Sequence, residues 1–241
     1  MLRCVCRSGV ALAVMLALAR GAVEAASPLA AIYGDVESEC FSAEPPGYGT
    51  ALIGTLVRPG CAFTRVARSN RSAGYGWLTT VGYSTLYSLT ALQLAAKDWE
   101  IRAPAVLPIP EDRYYWYQTG FTVPVGVAGV GANALTCYGL SRAWGSDVTL
   151  FELWGPVSLA AAVPTLVTMW IPETFVLPMF AQDSLWPQEV DLGRIAAGAA
   201  WSVCLNVVAV RAATRLNWWQ SACIGVAGGA VMGTIMGVCY R

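Results

Sequence analysis

Five stretches of this chain are apolar, almost uncharged and long enough, or nearly long enough, to cross a membrane. A bilayer core of about 30 Å needs about 20 such residues per helix. Because unpaired backbone polar groups are costly in hydrocarbon, each stretch is expected to be a helix. We therefore predict an all-α fold, a polytopic transmembrane bundle of about five spans within residues 72–241. The predicted spans lie near residues 75–96, 117–141, 148–171, 195–210 and 219–240.

The composition supports a membrane location. Hydrophobic residues make up 56% of the chain and charged residues only 12%, whereas soluble domains carry about a quarter charged residues. The 15 basic and 15 acidic residues balance, which argues against a nucleic-acid partner. The predicted partner is the lipid bilayer.

Residues 1–26 have the pattern of a secretory signal peptide. Arg3 and Arg7 precede an apolar run at residues 10–19, and small residues around Ala25 could form a cleavage site. If the N-terminal segment before the first span were exported, Cys40 and Cys61 are the cysteines that could pair.

The distribution of basic residues favours the opposite orientation. Lys and Arg number seven on the face that precedes the first span and five on the other, and basic residues next to spans tend to remain cytoplasmic. A cleaved signal and a cytoplasmic N-terminal segment exclude each other, and the charge count favours the second.

Two segments precede the first span. Residues 27–48 are rich in acids, Ser and Pro and predict a flexible lead-in. Residues 49–71 alternate basic and apolar side chains, and Pro59 suits the first turn of a helix. This pattern predicts an amphipathic helix in the headgroup plane, which anchors the first span or contacts anionic lipid or a protein partner. The residues that define it are Arg58, Pro59, Phe63, Arg65, Arg68 and Arg71.

The last predicted span carries a glycine every four residues. These glycines share one helix face, so a neighbouring helix can approach closely. The neighbour could belong to the same chain or to a second copy, and the first is favoured. The four positions are Gly225, Gly229, Gly233 and Gly237.

Few polar residues and three prolines lie inside the predicted spans. Asn133, Asn206 and Gln93 are the amides, and hydrogen bonding between helices is their expected role. The alternative is that they line a substrate pathway. Pro124, Pro156 and Pro164 each remove a backbone hydrogen bond and predict kinks.

No motif predicts catalysis. The chain has no histidine, which removes the commonest general base and metal ligand. It also lacks a Walker-type phosphate loop and the clustered thiols of a zinc site. We expect no enzyme activity, no cofactor and no metal.

Several of these features resemble the bacterial branch of the Yip domain family. The residues that carry the likeness are Leu56-Val57-Arg58-Pro59 with Phe63, Ile109-Pro110 with Tyr114-Tyr115, Phe121 and Pro124, and the stretch from Leu153-Trp154-Gly155 to Val163-Pro164. The resemblance implies about five helices and a cytoplasmic N-terminal segment. Eukaryotic members are linked to Rab-type GTPases and vesicle traffic, and the family supplies no catalytic residues.

The expected function is therefore that of a non-enzymatic membrane scaffold or adaptor. The protein would be located in the inner or plasma membrane of a bacterium, or in the endoplasmic reticulum or Golgi of a eukaryote. One alternative is a small transporter or channel subunit, for which Asn133 or Asn206 should face a hydrated cavity. Another is an accessory subunit of a larger complex that docks through the glycines of the last span.

Overall fold

The structure, a computed structural model, describes residue 40 and residues 46–97, 108–176 and 187–240. The predicted signal-like segment 1–26 and most of the lead-in 27–48 lie outside the described residues. In the described part every regular element is helical, which confirms the all-α fold. The helices are α1 (Tyr48–Val57), α2 (Pro59–Ala67), α3 (Ser72–Ala96), α4 (Tyr114–Ala143), α5 (Leu150–Thr165), α6 (Gln188–Thr214) and α7 (Trp218–Cys239).

Four helical segments are long and apolar enough to cross a membrane. They are Glu111–Ala143, Leu150–Val176, Glu189–Thr214 and Trp218–Cys239, which contain α4 to α7. They correspond to the second to fifth predicted spans. The chain is a multi-pass integral membrane protein on this evidence.

The first predicted span forms α3, which has 25 residues and no charge but is not among the four segments apolar enough to cross a membrane. Three of its hydroxyl side chains, Thr79, Thr80 and Ser84, are buried, whereas Thr85 and Gln93 are exposed. On its outer face Trp77 and Leu78 are about half exposed. Hydroxyls therefore lower the mean hydropathy of α3 although much of its outer surface is apolar. A crossing by α3 remains a prediction.

The five long helices close into a ring. Going round the ring, α3 packs on α4, α4 on α7, α7 on α6, α6 on α5, and α5 on α3. One core cluster is centred on Leu153, Val157 and Ile224, and it joins α5 to α7 through side chains of α4 such as Val130. This arrangement places the middle of each long helix against the interior of the bundle.

The basic segment 49–71 forms two helices, α1 and α2, and its position differs from the prediction. Phe63 and Val66 on α2 are fully buried and pack against Leu159 of α5 and Leu205 of α6. The apolar face of α2 therefore lies against protein instead of the headgroup plane. The exposed apolar face belongs to α1, where Ile53 is 65% exposed.

A disulfide ties residue 40 to α2. Cys40 and Cys61 are bonded, with their Cα atoms 5.4 Å apart. The carbonyl of Pro46 accepts a hydrogen bond from the Tyr75 hydroxyl in the first turn of α3. Cys40, Pro46 and α2 thus lie at the end of the bundle where α3 begins.

The three prolines for which kinks are predicted lie within continuous helices. Helix α4 continues through Pro124, and α5 continues through Pro156 and Pro164. After Pro164 the chain winds as two π-helical turns, Leu166–Trp170 and Pro172–Val176. Because proline offers no N–H to the preceding turn, a change of register next to it is physically reasonable.

Helices α5 and α7 begin at capping boxes. The Thr149 and Glu152 side chains each accept a hydrogen bond from the other residue's backbone N–H, and Asn217 and Gln220 do the same on α7. Glu152, the acid nearest a predicted span, therefore has a structural role at the start of α5.

Candidate functional site: an intramembrane cavity

A cavity of about 570 Å³ lies inside the ring and is lined by all five long helices. Its walls come from the C-terminal parts of α3 and α7, the N-terminal parts of α4 and α6, and the π-helical end of α5. These ends lie together because successive helices run in opposite directions. The cavity therefore enters the bundle from the end opposite α2 and the disulfide.

The cavity is elongated along α6. Its lining on this helix runs from Asp191 to Asn206, which at 1.5 Å per residue is about 22 Å. A cavity of this length can hold an extended alkyl chain.

The inner end of the cavity is formed by a pair of asparagines. Asn206 on α6 donates from Nδ2 to Asn133 Oδ1 on α4 at 3.1 Å and to the Gly225 carbonyl on α7 at 2.8 Å. The Cys137 thiol also donates to Asn133 Oδ1, at 3.3 Å. Three helices are thus joined by amide hydrogen bonds where α4, α6 and α7 are most deeply buried. These contacts are of the interhelical kind expected for the two asparagines. The same residues also line the cavity, which is the position that the alternative of a substrate pathway requires.

The mouth of the cavity carries a charge cluster. Arg194 Nη2 donates to Glu173 Oε1 at 3.0 Å and to Asp191 Oδ1 at 2.8 Å. Its Nη1 donates to the Thr168 carbonyl at 3.0 Å, and the Tyr87 hydroxyl donates to Glu173 Oε2 at 3.1 Å. Glu173 and Asp191 are among the residues that line the cavity, and Arg194 is not. The charged residues of the lining, within the part of the chain that the structure describes, are therefore both acidic.

Hydroxyl groups connect the helices around the mouth. Thr90 of α3 bonds to Thr174 at 2.8 Å, and the Trp170 indole donates to the Leu86 carbonyl at 3.1 Å. Tyr240 donates to the Thr122 carbonyl of α4 at 3.1 Å, and burial raises the pKa of this phenol above its ordinary value. The Tyr240 phenol therefore stays neutral and remains a donor.

The glycines of α7 have two different surroundings. A Cβ on Gly225 would lie 2.8 Å from the Val207 backbone N and Cα of α6, so this contact is within the chain. A Cβ on Gly229 would lie 3.2 Å from Val203. Gly229, Gly233 and Gly237 line the cavity, and a Cβ on Gly237 would meet no atom within 4 Å. The row of four glycines permits close packing on α6 at Gly225 and leaves space for the cavity at Gly233 and Gly237.

The remaining predicted site residues lie elsewhere. Gln93 is exposed on α3 and does not line the cavity. Arg58, Arg68 and Arg71 are exposed around α2, and Arg65 is half-buried there. The structure therefore joins Asn133, Asn206 and three of the glycines into one site and separates the basic segment from it.

Little in the sequence indicates the mouth. Asp191 and Arg194 lie on α6, but Glu173 belongs to the π-helical segment Pro172–Val176, and its contact with Arg194 depends on the fold. Gln118, which is 7% exposed and lines the cavity, was also missed. The signal in the sequence is the presence of acidic residues near the ends of two apolar stretches. Within the described ranges, no three His, Cys, Asp or Glu side chains are placed to hold a metal ion.

Fold and cavity together define a multi-pass helical membrane protein with an internal cavity that, among the residues described, opens at one end of the bundle. Comparison of the chain with protein-family models, with curated protein sequences and with solved structures finds no match. The resemblance to the Yip domain family is therefore untested by these comparisons.

Proposed function

We propose that this protein binds a small amphiphilic molecule within the membrane, as a carrier or a transporter subunit does. The observation that carries the proposal is the cavity, which reaches from the acidic mouth to the Asn133–Asn206 pair. A scaffold that acts only through its surface needs no such space. The transporter alternative required Asn133 or Asn206 to face a hydrated cavity rather than another helix. Both line this cavity, where they are 1% and 2% exposed and bond to each other across α4 and α6.

The lining of the cavity is consistent with such a ligand. Binding sites for small molecules typically enclose about 300–1,000 Å³, with apolar walls and a few polar groups that fix orientation. Here Ala161, Ala199 and Met232 contribute apolar wall, while Thr165 and Ser202 add hydroxyls. The ligand's chain would lie along the small residues, with its polar end near the mouth.

The test is photolabelling of the full chain in lipid nanodiscs with a diazirine derivative of n-decanol. We expect label on cavity-lining methionines such as Met232 and Met236, located by peptide mass spectrometry. Ala199→Phe, which fills the cavity, should remove most of this label. Ala196→Phe is the matched control, since Ala196 is an exposed residue one turn away that does not line the cavity. Equal labelling in the two variants, or label confined to the outer surface, would contradict the proposal.

A scaffold or adaptor role is the second candidate. It is favoured by the exposed apolar face of α1, where Ile53 is 65% and Val57 is 71% exposed next to Arg58. Cross-linked purification from native membranes should then recover a stoichiometric partner that is lost when Ile53 and Val57 are both changed to Ser. Recovery that is unchanged in this variant would contradict an adaptor role for α1.

A further inference from the structure

We infer that the amphiphile bound in this cavity carries a cationic, amine-type head group, which lies at Glu173 and Asp191. This inference rests on the proposed function and adds the chemistry of the ligand's polar end. The two acids are the charged residues among those that line the cavity in the described part of the chain. Their side chains retain 21% and 16% of their exposure, so both are accessible from the mouth.

The position of Arg194 determines the sign of the charge that faces the ligand. Its guanidinium donates to both carboxylates and to the Thr168 carbonyl, and Arg194 is not among the residues that line the cavity. Counted over these three described side chains, one cation and two anions have a formal charge of −1. An ammonium group at the mouth would face carboxylate oxygens, whereas a carboxylate or phosphate would face them as a like charge.

Other polar groups of the lining also accept hydrogen bonds. The side-chain Oε1 of Gln118 is buried without a hydrogen-bond partner, and Gln118 lines the cavity. A buried acceptor of this kind is satisfied by a ligand that brings N–H or O–H donors. An ammonium brings three donors and no acceptor, which matches acidic oxygens and an unsatisfied amide oxygen better than an anionic head group does.

The length of the cavity fits an alkyl chain behind that head group. Its lining continues past Ala199 and Ser202 to the asparagine pair, about 22 Å along α6. The expected ligand class is thus a single-chain primary or substituted amine with its charge at the mouth.

The test is competition against the decanol photoprobe with three unlabelled molecules of the same chain length, n-decylamine, n-decanol and n-decanoate. In the wild-type protein decylammonium should compete at about tenfold lower concentration than decanoate, which corresponds to about 1.4 kcal/mol. Glu173→Gln and Asp191→Asn should each reduce this preference. Asp147→Asn is the control, because Asp147 is a fully exposed acid at the opposite end of the bundle. Each competitor partitions into the same lipid to the same extent whichever variant is present. The ratio of its effective competing concentrations in two variants is therefore independent of that partitioning.

The outcomes separate the two proposals. Equal competition by the three head groups, with label still lost in Ala199→Phe, would overturn the cationic head group and leave the cavity as a binding site. Absence of label that depends on Ala199 would overturn the proposed function itself. If Glu173→Gln does not fold, Asp191→Asn and the wild-type preference still decide the inference.

A second inference, carried by the disulfide, concerns the side of the membrane to which the cavity opens. We propose that the disulfide end of the bundle faces the oxidising, extracytoplasmic side and that the cavity opens to the cytoplasm. Disulfides such as Cys40–Cys61 persist in oxidising compartments and are rare in the cytosol. The count of basic residues favoured the reverse orientation by seven to five, which is a small difference. A disulfide needs an oxidising compartment, and we give this requirement more weight than the charge count. Export of the signal-like segment 1–26 would give the same orientation.

Thiol labelling in spheroplasts of a bacterial expression host tests this orientation. Asp147→Cys and Asp112→Cys introduce thiols at two exposed acids, one at each end of the bundle. A membrane-impermeant maleimide should label Asp147→Cys in intact spheroplasts, and Asp112→Cys only after permeabilisation, with the unsubstituted chain as the blank. Failure to label Asp147→Cys in intact spheroplasts, or labelling of Asp112→Cys there, would overturn the proposal.

Discussion

The packing of α7 on α6 gives a prediction that can be worked out quantitatively from Gly225. A Cβ at this position would lie 2.8 Å from the Val207 N and Cα atoms, whereas carbon atoms in contact prefer about 3.5–4.0 Å. The shortfall of about 1 Å falls on backbone, which cannot turn aside as a flexible side chain can. Overpacking of this kind costs about 1–3 kcal/mol.

Gly237→Ala is the matched control for Gly225→Ala. A Cβ at Gly237 meets nothing within 4 Å, and both substitutions lie on α7 and gain the same helix propensity. The difference between the two variants therefore isolates the packing cost. We expect Gly225→Ala to be less stable than Gly237→Ala by about 1–3 kcal/mol.

The assay is reversible unfolding of the purified protein in mixed micelles with increasing dodecyl sulfate, followed by tryptophan fluorescence and circular dichroism. A larger loss in Gly237→Ala, or equal stability of the two variants, would refute the contact between Gly225 and α6. Gly225→Leu should be more destabilising than Gly225→Ala, because a larger side chain meets the same backbone.

Three further predictions concern stability in the same assay. A double-mutant cycle with Asn133→Val and Asn206→Val should give a coupling energy of about 0.6–1.7 kcal/mol, the range for hydrogen bonds between membrane helices; a coupling near zero would argue against the bond between them. Thr149→Ala, which removes the cap of α5, should cost about 1 kcal/mol, and an unchanged unfolding midpoint would contradict that role. Phe63→Ala should cost about 3–5 kcal/mol and Ile53→Ala much less, since Phe63 is fully buried and Ile53 is 65% exposed; similar losses would indicate that α2 lies on lipid.

The spans were largely predictable because hydrocarbon imposes a simple requirement on sequence. An apolar stretch of about 20 residues can only be helical there, and α4 to α7 agree with the second to fifth predictions. The close approach at Gly225 could also be anticipated, since a four-residue glycine repeat leaves one helix face bare. The close approach at Gly228 could not be anticipated in this way, although a Cβ there would clash with Asn133 and Cys137 of α4.

The candidate site depends on contacts between helices, which cannot be read from the sequence alone. Nothing local indicates that Arg194 of α6 meets Glu173 at the end of α5, because their pairing follows from helix order and register. The burial of Phe63 was missed for a similar reason. An alternation of basic and apolar residues suits a headgroup interface and a protein groove equally well, and only the neighbouring helices distinguish them.

Water access to the cavity is the most direct test of the account. Ser202 lines the cavity one turn from Asn206, whereas Ser158 is buried between α5 and α3, where it accepts a hydrogen bond from Thr80, and does not line it. Ser202→Cys and Ser158→Cys should be compared in nanodiscs for reaction with a small water-soluble thiosulfonate, with the unsubstituted chain as the blank. The account predicts that Ser202→Cys reacts, that decylamine slows this reaction, and that Ser158→Cys stays unmodified. An unreactive Ser202→Cys, or equal reaction of the two variants, would contradict a cavity that reaches the asparagine pair.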